Sequence, residues 1–147
     1  LVQEHGCAVA VIGGPQDCLL AEQVVRGISA GAVNLAGRTT LRQTAALLER
    51  CVAFVGNDSG PLHLAVAAGV PAVEISCHPR QGSRLDVQSP SRFGPWGHNA
   101  RVLQPAEPMA PCIDGCGAAA AHCITQITVD EVQQALAELC FNRPSAP

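Results

Sequence analysis

Short uninterrupted apolar runs alternate along this chain with stretches in which apolar residues recur every three or four positions. Residues 8–12 form the first such run and end at Gly13-Gly14-Pro15, the pattern of a buried strand followed by a turn. Residues 17–28 carry Leu20, Val24 and Ile28 at helical spacing, which predicts an amphipathic helix. Residues 32–35 read as a second strand. A helix over 40–50 opens with Thr40 and Gln43, the spacing of a capping box, and closes on Arg50. Residues 52–55 make a third strand, and 61–68 a helix stopped by Gly69 and Pro71. Residues 70–75 form a fourth strand. Regularity fails over 77–98, where Pro, Gly, Ser and Arg dominate; loops of that length are commonly functional. A last short strand is expected at 101–103, a cysteine-bearing loop of small residues at 106–123, and a final helix at 128–140 headed by the capping pair Thr128 and Glu131.

Continuously apolar strands alternating with helices predict an α/β fold, a Rossmann-like parallel sheet with helices on both faces. At this length one domain over 1–147 is the expectation. Ligands of such sheets bind beyond the carboxyl ends of the strands, so chemistry is expected in the loops after Ile12, Leu35, Val55 and Ile75.

Composition narrows the picture. Apolar residues make up 48% of the 147, but aromatics only 3%, so the core must be built from Ala, Val, Leu and Ile. The net charge is −3 and there is no lysine; the scattered arginines supply no basic surface for nucleic acid. The longest apolar stretch, 64–73, is interrupted by Gly69 and Pro71 and falls far short of the roughly 20 residues that span a bilayer. No charged segment precedes an apolar run at the start, so no secretory leader is expected. The chain begins at Leu1 without a Met and reads as one part of a larger protein. Of the eight cysteines, Cys7, Cys18, Cys51 and Cys140 sit in apolar segments and read as packed thiols of a reducing cytosol.

The most informative stretch is Gly56-Asn57-Asp58-Ser59-Gly60-Pro61-Leu62-His63, which leaves a buried strand and opens a helix. Pro61 suits the first helical position. The amides of Leu62 and His63 would then be unsatisfied donors at the positive end of the helix dipole, and Gly60 would let an anion approach the backbone. Asp58 could equally be a plain helix cap.

That segment, extended to Phe54 and Ala65 and followed by Gly69-Val70-Pro71, resembles the signature of glycosyltransferase family 9, the ADP-heptose:lipopolysaccharide heptosyltransferases. Three further stretches match in order: Val11-Ile12-Gly13-Gly14-Pro15, Asn34-Leu35-Ala36-Gly37-Arg38-Thr39-Thr40-Leu41, and Arg92-Phe93-Gly94-Pro95-Trp96-Gly97. The resemblance implies the second, donor-binding half of a two-domain GT-B enzyme that transfers heptose from ADP-heptose to a lipopolysaccharide core acceptor. Asp58 would contact the donor sugar, Ser59, Gly60, Leu62 and His63 the diphosphate, and Asn34 the nucleoside. Gly13 and Gly14 would form the turn after the first strand of the donor half. The acceptor site and catalytic base would belong to the other half, so this chain alone is expected to be inactive. The likeness also implies a cytoplasmic protein, with peripheral contact at the inner membrane face reserved for the full-length enzyme. No metal or other cofactor is expected beside the ADP-sugar substrate. The family's Gly-Pro-Thr-Asp-Pro after the fourth strand is replaced here by Ser76-Cys77-His78-Pro79 and an inserted 80–91, which bears on sugar and nucleotide preference. Two other readings keep the residues: the same fold with another nucleotide-sugar or epimerase chemistry, and a non-catalytic nucleotide-binding module.

The remaining polar residues have plain readings. His5, His98 and His122 are expected in solvent, as are Asp17, Glu22 and Glu49 on helix faces. His78, beside the expected cleft, is a secondary candidate for a donor contact. Cys112, Cys116, His122 and Cys123 approach a zinc pattern, but the second short pair is incomplete and adjacent His122 and Cys123 would strain to share one ion. No metal is expected there, and the thiols of Cys112, Cys116 and Cys123 should be accessible.

Overall fold

In the computed structural model, which describes residues 6–28, 30–112, 120 and 122–140, every strand pair is parallel. The chain divides into two compact units, Leu1–Leu47 and Leu48–Pro147. In the first, β1 (Val9–Val11) pairs with β2 (Ala32–Asn34), Val9 opposite Ala32 and Val11 opposite Asn34. Helix α1 (Cys18–Ile28) crosses between them after a tight 3-10 turn at Pro15–Asp17. Helix α2 (Leu41–Leu48) follows. In the second unit β3 (Phe54–Gly56), β4 (Ala72–Ile75) and β5 (Ala100–Leu103) lie in that order. Helix α3 (Gly60–Ala67) links the first two strands, and the long connection to β5 holds a one-turn helix α4 (Pro90–Phe93) that the sequence pattern did not predict. Arg92 steadies that connection by donating to the Leu85 carbonyl at 2.8 Å.

The core of the second unit forms where α5 (Val129–Cys140) lies on the sheet. Ala135, Leu136 and Leu139 close over Val73 of β4, with Ala53, Leu103, Val132 and Cys140 around them. Both predicted capping boxes are present. The Thr128 amide donates to the Glu131 carboxylate at 2.7 Å and the Glu131 amide to the Thr128 hydroxyl at 3.2 Å. The Thr128 amide first, and then the Thr128 hydroxyl donating to the same carboxylate at 2.9 Å, hold the Glu131 carboxyl below its usual range, so the closure is in place at neutral pH and weakens as acid protonates it. At α2 the Thr40 amide donates to the Gln43 side chain at 2.9 Å and the Gln43 amide to the Thr40 hydroxyl at 3.4 Å. Replacing Thr40 with Ala should therefore cost about 1 kcal/mol, a fall of roughly 2–4 °C in melting temperature, whereas Thr40→Ser should hold the wild-type value. Equal melting temperatures for all three proteins would contradict that account.

Several elements are shorter than the apolar runs that announced them. Helix α3 ends in a Schellman closure: Gly69, with φ +76°, donates to the Val66 carbonyl at 3.0 Å, and Val70 to that of Ala65 at 2.9 Å. Val70 thus belongs to the helix end, and β4 begins only at Ala72. Val52 is exposed rather than in β3. In α1 the expected stripe stays largely in solvent, Leu20 at 64% and Val24 at 45%, and only Ala21 is buried. Two three-residue strands offer too little surface to cover that stripe within their own unit. No helix among the described residues is long and apolar enough to cross a membrane.

Candidate functional site

The loop from β3 to α3 stands at the carboxyl end of the three-stranded sheet and is tied to it. The Asn57 side chain donates to the Ile75 carbonyl at the end of β4, at 2.9 Å. Ser59 takes the extended conformation of an N-cap, φ −162° and ψ 163°, while its hydroxyl turns back to the Asn57 carbonyl at 3.1 Å. The cap is therefore Ser59 and not Asp58, and α3 starts one residue early, with Pro61 second in the helix. This shift corrects the expected donor set. The Leu62 and His63 amides both donate to the Ser59 carbonyl, at 3.1 and 3.4 Å, and are not orphans; the Leu62 side chain is wholly buried. Gly60 stands at the helix mouth, and apart from its chain neighbours and its own helix backbone nothing lies within 4 Å of where its Cβ would be. That open space suits an approaching anion at the positive end of the helix.

With the cap taken by Ser59, the Asp58 carboxylate is left for another partner. It meets His63 Nε2 one helical turn on, at 3.3 Å, both side chains partly in solvent. Beside this pair the structure places a residue that sequence reasoning missed. Glu74 of β4 sits opposite Gly56 of β3, has no exposed surface, and neither carboxylate oxygen has a hydrogen-bond partner of good geometry. Burial pushes its carboxyl from the ordinary 4.5 up to about 7, and the nearby Asp58 charge adds to the rise. The Ser76 hydroxyl and the His63 imidazole pull it back only in part. One signal was available: Glu74 is the single acidic residue inside an otherwise apolar strand, and such strands are covered on both faces.

The first unit carries the other predicted contacts. The Gly14 amide donates to the Asp17 carboxylate at 2.7 Å, and the Gly37 amide to the Gly13 carbonyl at 3.0 Å. A Cβ on Gly13 would fall 2.9 Å from Asp17, so only glycine fits while Asp17 closes the turn. Asp17 is thus a loop-closing residue and not a solvated one. Asn34 is turned inward: its amide donates to the Cys18 carbonyl at 3.1 Å and the Glu22 carboxylate at 3.3 Å, and its oxygen accepts from the Ala36 amide at 3.0 Å. It shapes the loop after β2, and any nucleoside contact from its side chain requires exchanging those bonds.

Among the histidines, His98 is exposed as expected, and His5 lies outside the described residues. His78 is buried, its carbonyl accepting from Gln104 at 2.9 Å and its ring lying where a Cβ on Gly82 would be. Two expectations fail together at the cysteine loop. Cys112 and Cys123, read as accessible, are buried, and His122, read as solvated, lies beside Cys123. Cys116 is outside the described residues.

A family model described as glycosyltransferase family 9 (heptosyltransferase) matches residues 1–119. The lipooligosaccharide heptosyltransferase 2 of Haemophilus ducreyi is 39% identical over 72 residues, which cover 46% of this chain and 21% of that protein. The lipopolysaccharide heptosyltransferase 2 of Escherichia coli is 30% identical over 105 residues, 69% of this chain and 28% of that one. Two solved structures share the fold. A glycosyl transferase family 9 protein from Veillonella parvula matches with a TM-score of 0.73 and 23% identity over 94% of this chain and 38% of its own. The E. coli ADP-heptose LPS heptosyltransferase II matches with a TM-score of 0.69 and 25% identity over 92% and 37%. The Rossmann-like α/β expectation is borne out, and the chain spans about a fifth to just under two fifths of these relatives.

Proposed function

Because the chain belongs to glycosyltransferase family 9, we propose that it is the nucleotide-sugar-binding part of a heptosyltransferase, working with an acceptor-binding part that supplies the catalytic base. The observation that carries this reading is the Asp58–His63 pair at the open mouth of α3. A carboxylate accepts hydrogen bonds from two sugar hydroxyls but repels a phosphate, so Asp58 faces the sugar. The Ser59 and Gly60 backbone and the His63 ring face the diphosphate. There the helix dipole and an imidazole donor offset the charge that develops on the leaving ADP. Leu62 contributes its place in the first turn and its buried anchor, not a free amide.

The reaction would be an inverting transfer. An acceptor hydroxyl of the lipopolysaccharide core attacks the anomeric carbon, the bond to the diphosphate oxygen breaks, and ADP leaves with the electron pair. No metal is needed for this step if backbone and imidazole hold the diphosphate. Such an enzyme would act in the cytoplasm, at most peripherally at the inner membrane. A second reading, another nucleotide-sugar donor, is favoured by the replacement of the family's segment after β4 with Ser76-Cys77-His78-Pro79.

Calorimetry with ADP, UDP and GDP tests both readings. ADP should give the largest heat, and the chain alone should transfer no sugar. A preference for UDP or GDP would favour the second reading, and negligible heats for all three with a folded sample would remove the donor site.

A further inference from the structure

Outside the donor loop, one group of three metal-binding side chains stands out among the described residues. Donor atoms of Cys112, His122 and Cys123 all lie within 4.8 Å of one another. The two cysteines are 5% and 4% exposed. We propose that Cys112, His122 and Cys123 form a zinc site, two thiolates and one imidazole at three corners of a tetrahedron, with the fourth open to water or a further donor.

The geometry fits the ion. Zinc held at about 2.3 Å from sulfur and about 2.0–2.1 Å from nitrogen sets those two donors roughly 3.5 Å apart at a tetrahedral angle, and two sulfurs roughly 3.8 Å apart. His122 Nδ1 lies 3.4 Å from Cys123 Sγ, so neighbours in sequence reach one ion, contrary to the objection from spacing. A turn in which the Cys112 amide donates to the Met109 carbonyl at 2.7 Å presents Cys112. The 3-10 turn Cys123–Gln126 presents the other sulfur.

The electrostatics fit as well. The Met109 amide donates to Cys123 Sγ at 3.3 Å and the sulfur lies 4.0 Å from the Met109 carbonyl, so the 109–112 turn already meets one of the proposed ligands. A buried thiolate is costly without a cation. Zinc(II) with two thiolates and a neutral imidazole carries no net charge, so burial does not work against it. Binding releases the two thiol protons and changes no oxidation state. A Cys112–Cys123 disulfide, by contrast, would give the imidazole beside Cys123 no role. The ion would clip the 109–112 turn to the 123–126 turn, between which the sequence is rich in Gly and Ala.

The test uses the full chain, expressed in zinc-supplemented medium and purified under reductant without chelator. Elemental analysis should find about one zinc per chain. Cys112→Ser and Cys123→Ser should lose most of it, and Cys7→Ser should keep it. Because either loop variant could misfold, cobalt(II) is added to the metal-stripped wild type. The thiolate-to-metal charge-transfer and intense visible bands of a tetrahedral thiolate site should appear and be bleached by stoichiometric zinc. Less than about a tenth of a zinc per chain with no cobalt bands overturns the proposal. So does a Cys112–Cys123 disulfide mapped in the freshly purified protein.

Discussion

Glu74→Gln is expected to make the protein more stable than wild type above pH 7 and to leave it unchanged near pH 4. The Glu74 carboxyl is raised from 4.5 to about 7 by burial first and by Asp58 second. Below 4.5 it is protonated in both the folded and the unfolded chain. Between 4.5 and about 7 only the folded chain holds the proton, so stability falls as pH rises across that window. Above it, the folded chain carries a buried charge that the unfolded chain carries in water. A shift of this size corresponds to at most roughly 3 kcal/mol, and glutamine removes the ionisation while keeping the shape. Thermal melts of the two proteins at pH 4, 6 and 8 should separate progressively, by several degrees at the top. Parallel curves would mean that Glu74 does not titrate in this window. The proposed donor site should feel the same charge. Ionised Glu74 joins Asp58 on the negative side, opposed by His63, so ADP affinity of wild type should drop relative to Glu74→Gln as pH passes 7.

The second large effect is on ligand choice. Asp58→Ala should weaken ADP-heptose binding far more than ADP binding, while His63→Ala should weaken both, because the diphosphate is common to the two ligands. Losing a charged hydrogen-bond partner costs roughly 1.5–3 kcal/mol, about tenfold to a hundredfold in affinity. The upper end requires that the bound sugar exclude water from a carboxylate that is partly in solvent when free. Stability supplies the control. With Ser59 at the cap and the Asp58–His63 pair partly solvated, Asp58→Ala should change the melting temperature little. An unchanged ratio of ADP-heptose to ADP affinity, with or without lost stability, would remove Asp58 from the sugar site.

Much of this protein is legible in local pattern. The strand–helix alternation, the two capping boxes at Thr40 and Thr128, and the stop at Gly69 all appear where the chain announces them. Each depends on neighbours within a few residues: side-chain periodicity, a hydroxyl three positions from its amide, or a backbone that tolerates positive φ. That the segment from Asp58 to His63 leaves a strand and opens a helix was visible for the same reason, since a glycine-opened turn between strand and helix is a local device. Even there, the one-residue shift that put Ser59 at the cap was beyond reach, because Asp, Ser and Gly all satisfy that position.

What depended on residues far apart in the chain needed the tertiary structure. Strand register sets Glu74 opposite Gly56 and beside Asp58 and His63, turning an ordinary glutamate into a group that titrates near neutrality. Folding also turns Asn34 inward, buries His78, and brings Cys112 within reach of His122 and Cys123. Spacing does not show the last of these, because it counts residues, whereas proximity depends on where turns point their side chains. The sequence by itself determined the elements, their order and the turn that opens α3, all products of short-range sterics and hydrogen bonding. Only the three-dimensional packing decided which polar groups lose water and which charges face one another, because desolvation and Coulomb interaction depend on distance through space and not along the chain.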